Sequence, residues 1–151
     1  LFARDSQIAS LEDAIALAIS AHRGQQDKVG QPYILHPLRV MLRCDTETAR
    51  IVAVLHDVVE DTPHTLAELR ALGYADEVLQ ALDCLTRYVG EPYEAFIARV
   101  SGNALARRVK LADLADNMDI CRLPNLSTDD VERLRRYQGA WRELSGETEA
   151  G

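Results

Sequence analysis

The chain has 151 residues, enough for one domain with a real core, and 47% hydrophobic with 27% charged residues is a globular mixture, not a disordered one. A formal net charge of -7 without any Lys/Arg block excludes a duplex-binding module. No apolar run approaches the roughly 20 residues of a membrane span, so no membrane partner is expected. The acidity still admits a phosphate-bearing small molecule, because a metal ion and one or two cations make a local positive site.

Helical spacing dominates the chain. Ser10 followed by Asp13 resembles a capping signal for a helix lined by Leu11, Ala14, Ile15, Ala18 and Ile19, running to about Arg23 and stopping near Gly24. Pro32 and Pro37 punctuate the next stretch, and Pro37 suits the first turn of a short helix through Leu42. Thr46 opens a helix on which Ile51, Val52, Val54, Leu55, Val58 and Val59 form a surface so broad that it should be central and buried. Thr65 with Glu68 makes a capping box for a short helix ending at Gly73. Residues 75–88 and 92–100 read as two helices separated by Gly90 and Pro92. Residues 104–118 form another, with Leu105, Val109, Leu111, Ala112, Leu114 and Ala115 on its buried flank. The last runs from Thr128 to about Leu144 with Val131, Leu134, Tyr137, Trp141 and Leu144 as its stripe. No sustained strand pattern, repeat or low-complexity linker interrupts this series. The expected fold class is all-α, a single helical bundle in one domain over residues 1–151.

Cys44, Cys84 and Cys121 show neither pairing nor CxxC spacing, so they are expected to be buried small hydrophobes. The first residues, LFARDSQ, lack the apolar core of a signal peptide, and the missing initiator Met suggests trimming or a partial chain. A cytoplasmic protein is expected.

The chemistry is carried by polar residues that break buried apolar runs. In Val54-Leu55-His56-Asp57-Val58-Val59-Glu60-Asp61, His56 and Asp57 are adjacent ionisable groups, and buried charge usually pairs or coordinates metal. Treated as neighbours on one helix, they flank a common edge, with Glu60 and Asp61 one turn beyond. The alternative is a core histidine tied to a carboxylate, with Glu60 and Asp61 merely exposed. Asp113 and Asn117 share a face of the 104–118 helix, and Asp113 is a hard oxygen donor suited to a mixed His/Asp site. Its alternative is a salt bridge to Lys110 or a nearby arginine. His36 stands just before the proline that starts a helix, and the Gly-containing loop before it carries Lys28. Read alone, this is an ordinary loop with an exposed lysine. His22 is expected to fix the following loop by a hydrogen bond, and His64 to face solvent.

The order His…His-Asp…Asp on an all-helical chain resembles the HD-domain metal-dependent phosphohydrolases. The segments AHRGQQDKVGQPYILHPLRV, LHDVVEDT and VKLADLADNM narrow the resemblance to the branch that hydrolyses (p)ppGpp, the hydrolase domain of RelA/SpoT homologues. The resemblance implies metal ligands at His36, His56, Asp57 and Asp113, and a Glu60–Asp61 pair working on water and proton transfer. It implies Lys28 as a basic loop residue near the nucleotide, and Asn117 at the substrate's edge. A divalent metal, most expected as Mn²⁺, would serve hydrolysis of the 3′-diphosphate of guanosine tetra- or pentaphosphate to pyrophosphate and GDP or GTP. With no space for synthetase or regulatory domains, the chain resembles a stand-alone small hydrolase. Two departures stand out. Asp27-Lys28-Val29-Gly30 replaces the usual Arg-Lys-Ser-Gly, placing a negative charge where an arginine would face the guanine. Leu114 and Asp116 replace the Arg and His that often follow the aspartate in long enzymes. An HD phosphohydrolase for a different nucleotide, or a catalytically silent nucleotide-binding module, are the alternatives.

Overall fold

The computed structural model describes residues 8–146. The first seven residues, read above as lacking a leader, and the last five, within the expected 1–151 domain, lie outside the described residues. Nine α-helices are described: α1 (Leu11–Ala21), α2 (Leu35–Leu42), α3 (Glu47–Leu55), α4 (Val58–Asp61), α5 (Leu66–Ala71), α6 (Asp76–Leu85), α7 (Tyr93–Ser101), α8 (Ala104–Asn117) and α9 (Thr128–Ser145), with a 3₁₀ turn at Ile120–Arg122. The only bridge pairing among the described residues is Gln26 with Pro32, in the loop between α1 and α2. The all-α expectation is met.

Local chemistry sets the helix starts. Ser10 with Asp13, Thr65 with Glu68 and Ser127 with Asp130 form reciprocal capping boxes, while Thr46 and Asn103 cap α3 and α8 with single side-chain bonds. Each satisfies N–H groups that the first helical turn leaves without partners. α1 ends two residues before the expected Arg23, with His22 as its cap. α6 ends at Leu85 and not near residue 88, because Thr86 turns extended and its hydroxyl donates to the Leu82 carbonyl.

α3 is the hub. It packs against α1, α2, α6 and α8, and Val52, Ala53, Val54 and Leu55 are wholly buried. The expected continuous run past Leu55 is interrupted. The His56 ring nitrogen Nδ1 lies 2.6 Å from the Ala53 carbonyl, the acceptor that the Asp57 N–H would need in an unbroken helix. The chain therefore turns at His56 and Asp57, and α4 starts afresh with the Asp57 carbonyl accepting the Asp61 N–H at 2.9 Å.

Cys44 is buried and Cys84 half-buried, as small hydrophobes would be, but Cys121 is exposed on the 3₁₀ turn, contrary to expectation. The turn is too short to bury an apolar face, so its local sequence did not report its exposure.

Leu82 of α6 is fully buried and takes no part in the polar cluster described below. Leu82→Ala is expected to cost about 2–5 kcal/mol of stability. Urea unfolding should show a lowered midpoint at unchanged slope, and metal binding by the folded protein should be unaltered.

Candidate active site

The break between α3 and α4 brings four groups to one point. His36 reaches it from α2, His56 and Asp57 from the break, and Asp113 from α8. His36 Nε2 lies 3.0 Å from Asp113 Oδ1 and 3.7 Å from Asp57 Oδ2. His56 Nε2 lies 3.0 Å from Asp57 Oδ2 and 3.4 Å from Asp113 Oδ1. The two imidazoles meet nearly edge to face. Thus the four residues expected as one ligand set do converge, and the alternative of a core histidine tied to a carboxylate describes the same His56–Asp57 contact.

The far side of each ring identifies which nitrogen is free. His36 Nδ1 is 2.7 Å from Asp116 Oδ2, and His56 Nδ1 is 2.6 Å from a backbone carbonyl. Both acceptors call for Nδ1–H, which leaves each Nε2 aimed at the carboxylates. His56 Nε2 is buried and has no hydrogen-bond partner. Imidazoles facing carboxylates at 3.0–3.7 Å are held together by a proton on Nε2 or by a metal cation in its place, and two imidazoles with two carboxylates are a donor set for a divalent ion. The residues present therefore fit a metal. Burial alone would depress both histidines, but the hydrogen bonds and charges of Asp57, Asp113 and Asp116 outweigh it and hold them above the usual histidine range.

Around this set the remaining lone pairs are occupied. Tyr33 donates its hydroxyl to Asp57 Oδ2 at 2.5 Å. Lys110 Nζ donates to Asp113 Oδ2 at 2.6 Å, so the salt bridge weighed as an alternative for Asp113 coexists with the ligand geometry at Oδ1. Burial would lower the Lys110 pKa, but Asp113 more than reverses this and keeps the ammonium charged. Asn117 lines the pocket as expected and also donates to Asp113 Oδ1 at 3.0 Å. Asp116, only 1% exposed, receives Arg39 through Nε and Nη2 at 2.8 and 3.1 Å, and Arg122 donates to its backbone carbonyl.

A cleft of about 440 Å³ opens over the cluster. Glu60 and Asp61 line it, and their carboxylate oxygens gather with that of Asp57 within 4.8 Å of one another. Partial desolvation pushes both upward, aided by the Asp57 charge, while the Arg87 N–H on Glu60 opposes the rise there. Lys28 stands at the rim, and α9 supplies Arg133, Leu134 and Tyr137 to the wall near it. Asp27 corrects the charge argument. Its Oδ1 accepts the Val29 and Gln31 N–H groups at 3.0 and 2.9 Å, so it shapes the loop that carries Lys28 and is not simply a repelling charge. His22 fixes the loop as expected, bonding Gln25 at 2.8 Å, and Gln25 continues to the Asp61 carbonyl. His64 is only partly exposed and meets Glu68 at 3.2 Å. Sequence reasoning missed Tyr33, Arg39 and the α9 residues as parts of the pocket; of these only Tyr33 carried a signal, its place beside His36 in the motif.

The all-helical fold and a centre of two histidines and two aspartates define an HD-type protein. No family model matches the chain. It is 36% identical over 126 residues to a GTP pyrophosphokinase of Streptomyces coelicolor, an overlap covering 75% of this chain and 15% of that protein. It is 30% identical over 148 residues to the bifunctional (p)ppGpp synthase/hydrolase SpoT of Escherichia coli, covering 87% and 20%. It is 33% identical over 119 residues to a guanosine-3′,5′-bis(diphosphate) 3′-pyrophosphohydrolase of Aquifex aeolicus, covering 72% and 17%. The chain thus spans about a fifth or less of the length of these relatives. A solved structure described as a metazoan ortholog of SpoT that hydrolyses ppGpp superposes with a TM-score of 0.72 at 21% identity, over 99% of this chain and 90% of that one, and so shares the fold. The chain belongs to the HD-domain family, in the branch of the (p)ppGpp hydrolases.

If Asp116 sets the His36 ring, Asp116→Ala should weaken Mn²⁺ binding about 10- to 100-fold, as losses of a histidine's outer partner do. Titration calorimetry on metal-depleted protein measures this. An unchanged affinity would leave Asp116 as a structural ion pair with Arg39.

Proposed function

We propose that this chain hydrolyses the 3′-diphosphate of guanosine tetra- or pentaphosphate, releasing pyrophosphate and GDP or GTP. The observation that carries the reading is the convergence of His36, His56, Asp57 and Asp113 on the floor of a cleft that also holds Glu60 and Asp61. The guanosine substrate is supported by the names of the relatives. Mn²⁺ is the ion this reading selects, since a mixed nitrogen and oxygen set tolerates it. The helices described form one HD-type domain in this reading, and a nucleotide of the cell interior as substrate makes the protein cytoplasmic.

A divalent ion at this centre would supply Lewis acidity toward a phosphoryl oxygen and lower the pKa of water. The protein's residues do the rest. Lys110 takes Asp113 Oδ2 and leaves Oδ1 facing the rings, while Tyr33 donates to Asp57 Oδ2, the oxygen that itself faces them, and fixes its position. Protonated Lys110 offsets one carboxylate charge at the floor, which leaves more of a divalent ion's charge to meet a diphosphate. Glu60 and Asp61, raised toward the range where carboxyls exchange protons, orient the attacking water and accept its proton, and return one to the leaving 3′-oxygen. The O3′–P bond breaks as the water oxygen bonds to phosphorus. Lys28 at the rim and Arg133 on α9 offer cations to the nucleotide's remaining phosphates. A second reading, a different nucleotide with the same chemistry, is favoured by Asp27, which fills the loop position where the resemblance calls for an arginine.

Incubating Mn²⁺-loaded protein with a panel of nucleotides, and separating products by anion exchange, decides between them. Release of pyrophosphate from ppGpp ahead of all other substrates is expected. Preference for another nucleotide would overturn the guanosine assignment. In the same assay, Glu60→Gln and Asp61→Asn should retain metal and lose roughly 100-fold or more in turnover. His56→Ala and Asp57→Ala should lose the metal itself, which metal analysis reads directly.

A further inference from the structure

What holds Glu60 in place is backbone. Its Oε1 accepts the Arg87 N–H at 2.8 Å, and Arg87 lies in the connection between α6 and α7. That connection is exposed from Arg87 to Gly90 and contributes no core side chain there. It is nevertheless tied down densely. The Arg99 guanidinium on α7 donates to the Asp83 carbonyl at 3.0 Å and the Thr86 carbonyl at 2.7 Å, and grips both oxygens of Glu91 at 2.7 and 2.8 Å. Glu91 in turn accepts the Tyr88 N–H, and its own N–H closes a turn onto the Tyr88 carbonyl at 3.0 Å. Gly90 occupies the third position of that turn with φ of +80°, a conformation that suits glycine alone among common residues. The Arg99 guanidinium also lies 4.8 Å over the Tyr88 ring.

The Arg99–Glu91 pair is bidentate and part-buried, a geometry that holds both side chains in one place. The exposed stretch from Arg87 to Gly90 adds nothing to the core, yet the tether fixes the backbone on both sides of it. What the tether accomplishes is the placement of one N–H against one carboxylate. We propose that Arg99 is a positioning residue for Glu60, acting through the 86–91 loop. This rests on the reading that Glu60 takes part in hydrolysis. Arg99 itself lines no part of the cleft, and it reaches the chemistry only through the backbone it holds. A lysine at this position keeps the charge but not the planar fork that serves two carbonyls and a carboxylate together.

The test uses the metal-loaded chain with the single variants Arg99→Lys, Gly90→Ala and Glu60→Gln, and the double variant Arg99→Lys/Glu60→Gln. An added Cβ at Gly90 meets nothing within 4 Å, so that variant loosens the turn through its φ alone. Arg99→Lys is expected to lower kcat on ppGpp roughly 10- to 100-fold through misplacement of Glu60, with KM and Mn²⁺ affinity nearly unchanged. Gly90→Ala should do the same to a lesser degree. The double variant should be no slower than Glu60→Gln alone, since a residue acting through another has no effect once that other is gone. Hydrogen exchange at the Arg87 amide, read without substrate, should quicken in Arg99→Lys and in Glu60→Gln alike. Additive losses in the double variant, or normal turnover in both Arg99→Lys and Gly90→Ala, would overturn the proposal. Normal turnover in Glu60→Gln would remove the role of Glu60 and the proposal with it. A chain inactive on ppGpp would count against the alarmone reading alone, and the Arg87 exchange would still decide whether Arg99 places Glu60. Should Arg99→Lys fail to fold, Gly90→Ala carries the same comparison.

Discussion

Two imidazoles face two carboxylates across 3.0–3.7 Å inside a hydrophobic bundle, and the arrangement holds only with protons on the rings or a metal cation in their place. Most of the polar structure around it makes sense as support for that constraint. Asp116, anchored by Arg39, and the Ala53 carbonyl fix the tautomers of the two rings. Lys110 holds the outer oxygen of Asp113, and Tyr33 holds the oxygen of Asp57 that faces the rings. Without such partners, each buried charge would cost several kcal/mol. The cluster thus links the energetics of the core to the chemistry of the cleft.

The break in the central helix is part of the same solution. A continuous helix through residues 47–61 would keep His56 and Asp57 about 100° apart around its axis. By spending the Ala53 carbonyl on an imidazole, the chain ends α3 early and resets its direction at Asp57. Both side chains then point to the meeting place of α2 and α8, while α4 presents Glu60 and Asp61 to the cleft. One backbone hydrogen bond is exchanged for a catalytic geometry.

Helix starts were legible because capping is local: Ser10–Asp13 and Thr65–Glu68 report a helix N-terminus whatever surrounds them. Of the four residues that converge, His56, Asp57 and Asp113 were legible because each interrupts an apolar pattern, and His36 through the resembling motif. Periodicity reports that a position is buried but not what it will meet. Asp116 could be seen as a departure from the resembling motif, yet its partner Arg39 lies 77 residues away on another helix. The contribution of Arg87 to the site is a backbone N–H, which leaves no trace in side-chain chemistry. Asp27 was half legible: its charge was visible, but the two loop N–H groups that it accepts were not.

The cleft is assembled from two unequal halves. Its floor comes from α2, the α3–α4 break and α8, elements packed against the buried hub. Its outer wall comes from the 26–33 loop and from α9, which packs mainly onto α8 and α7. Changes in Lys28, Arg133, Leu134 or Tyr137 alter what the wall accepts without disturbing an imidazole or a carboxylate below. In the proposed reading, the floor that would break the bond is held by the core, while the wall that would meet the nucleotide lies on the surface. Related chains can share one hydrolytic chemistry and diverge in diet.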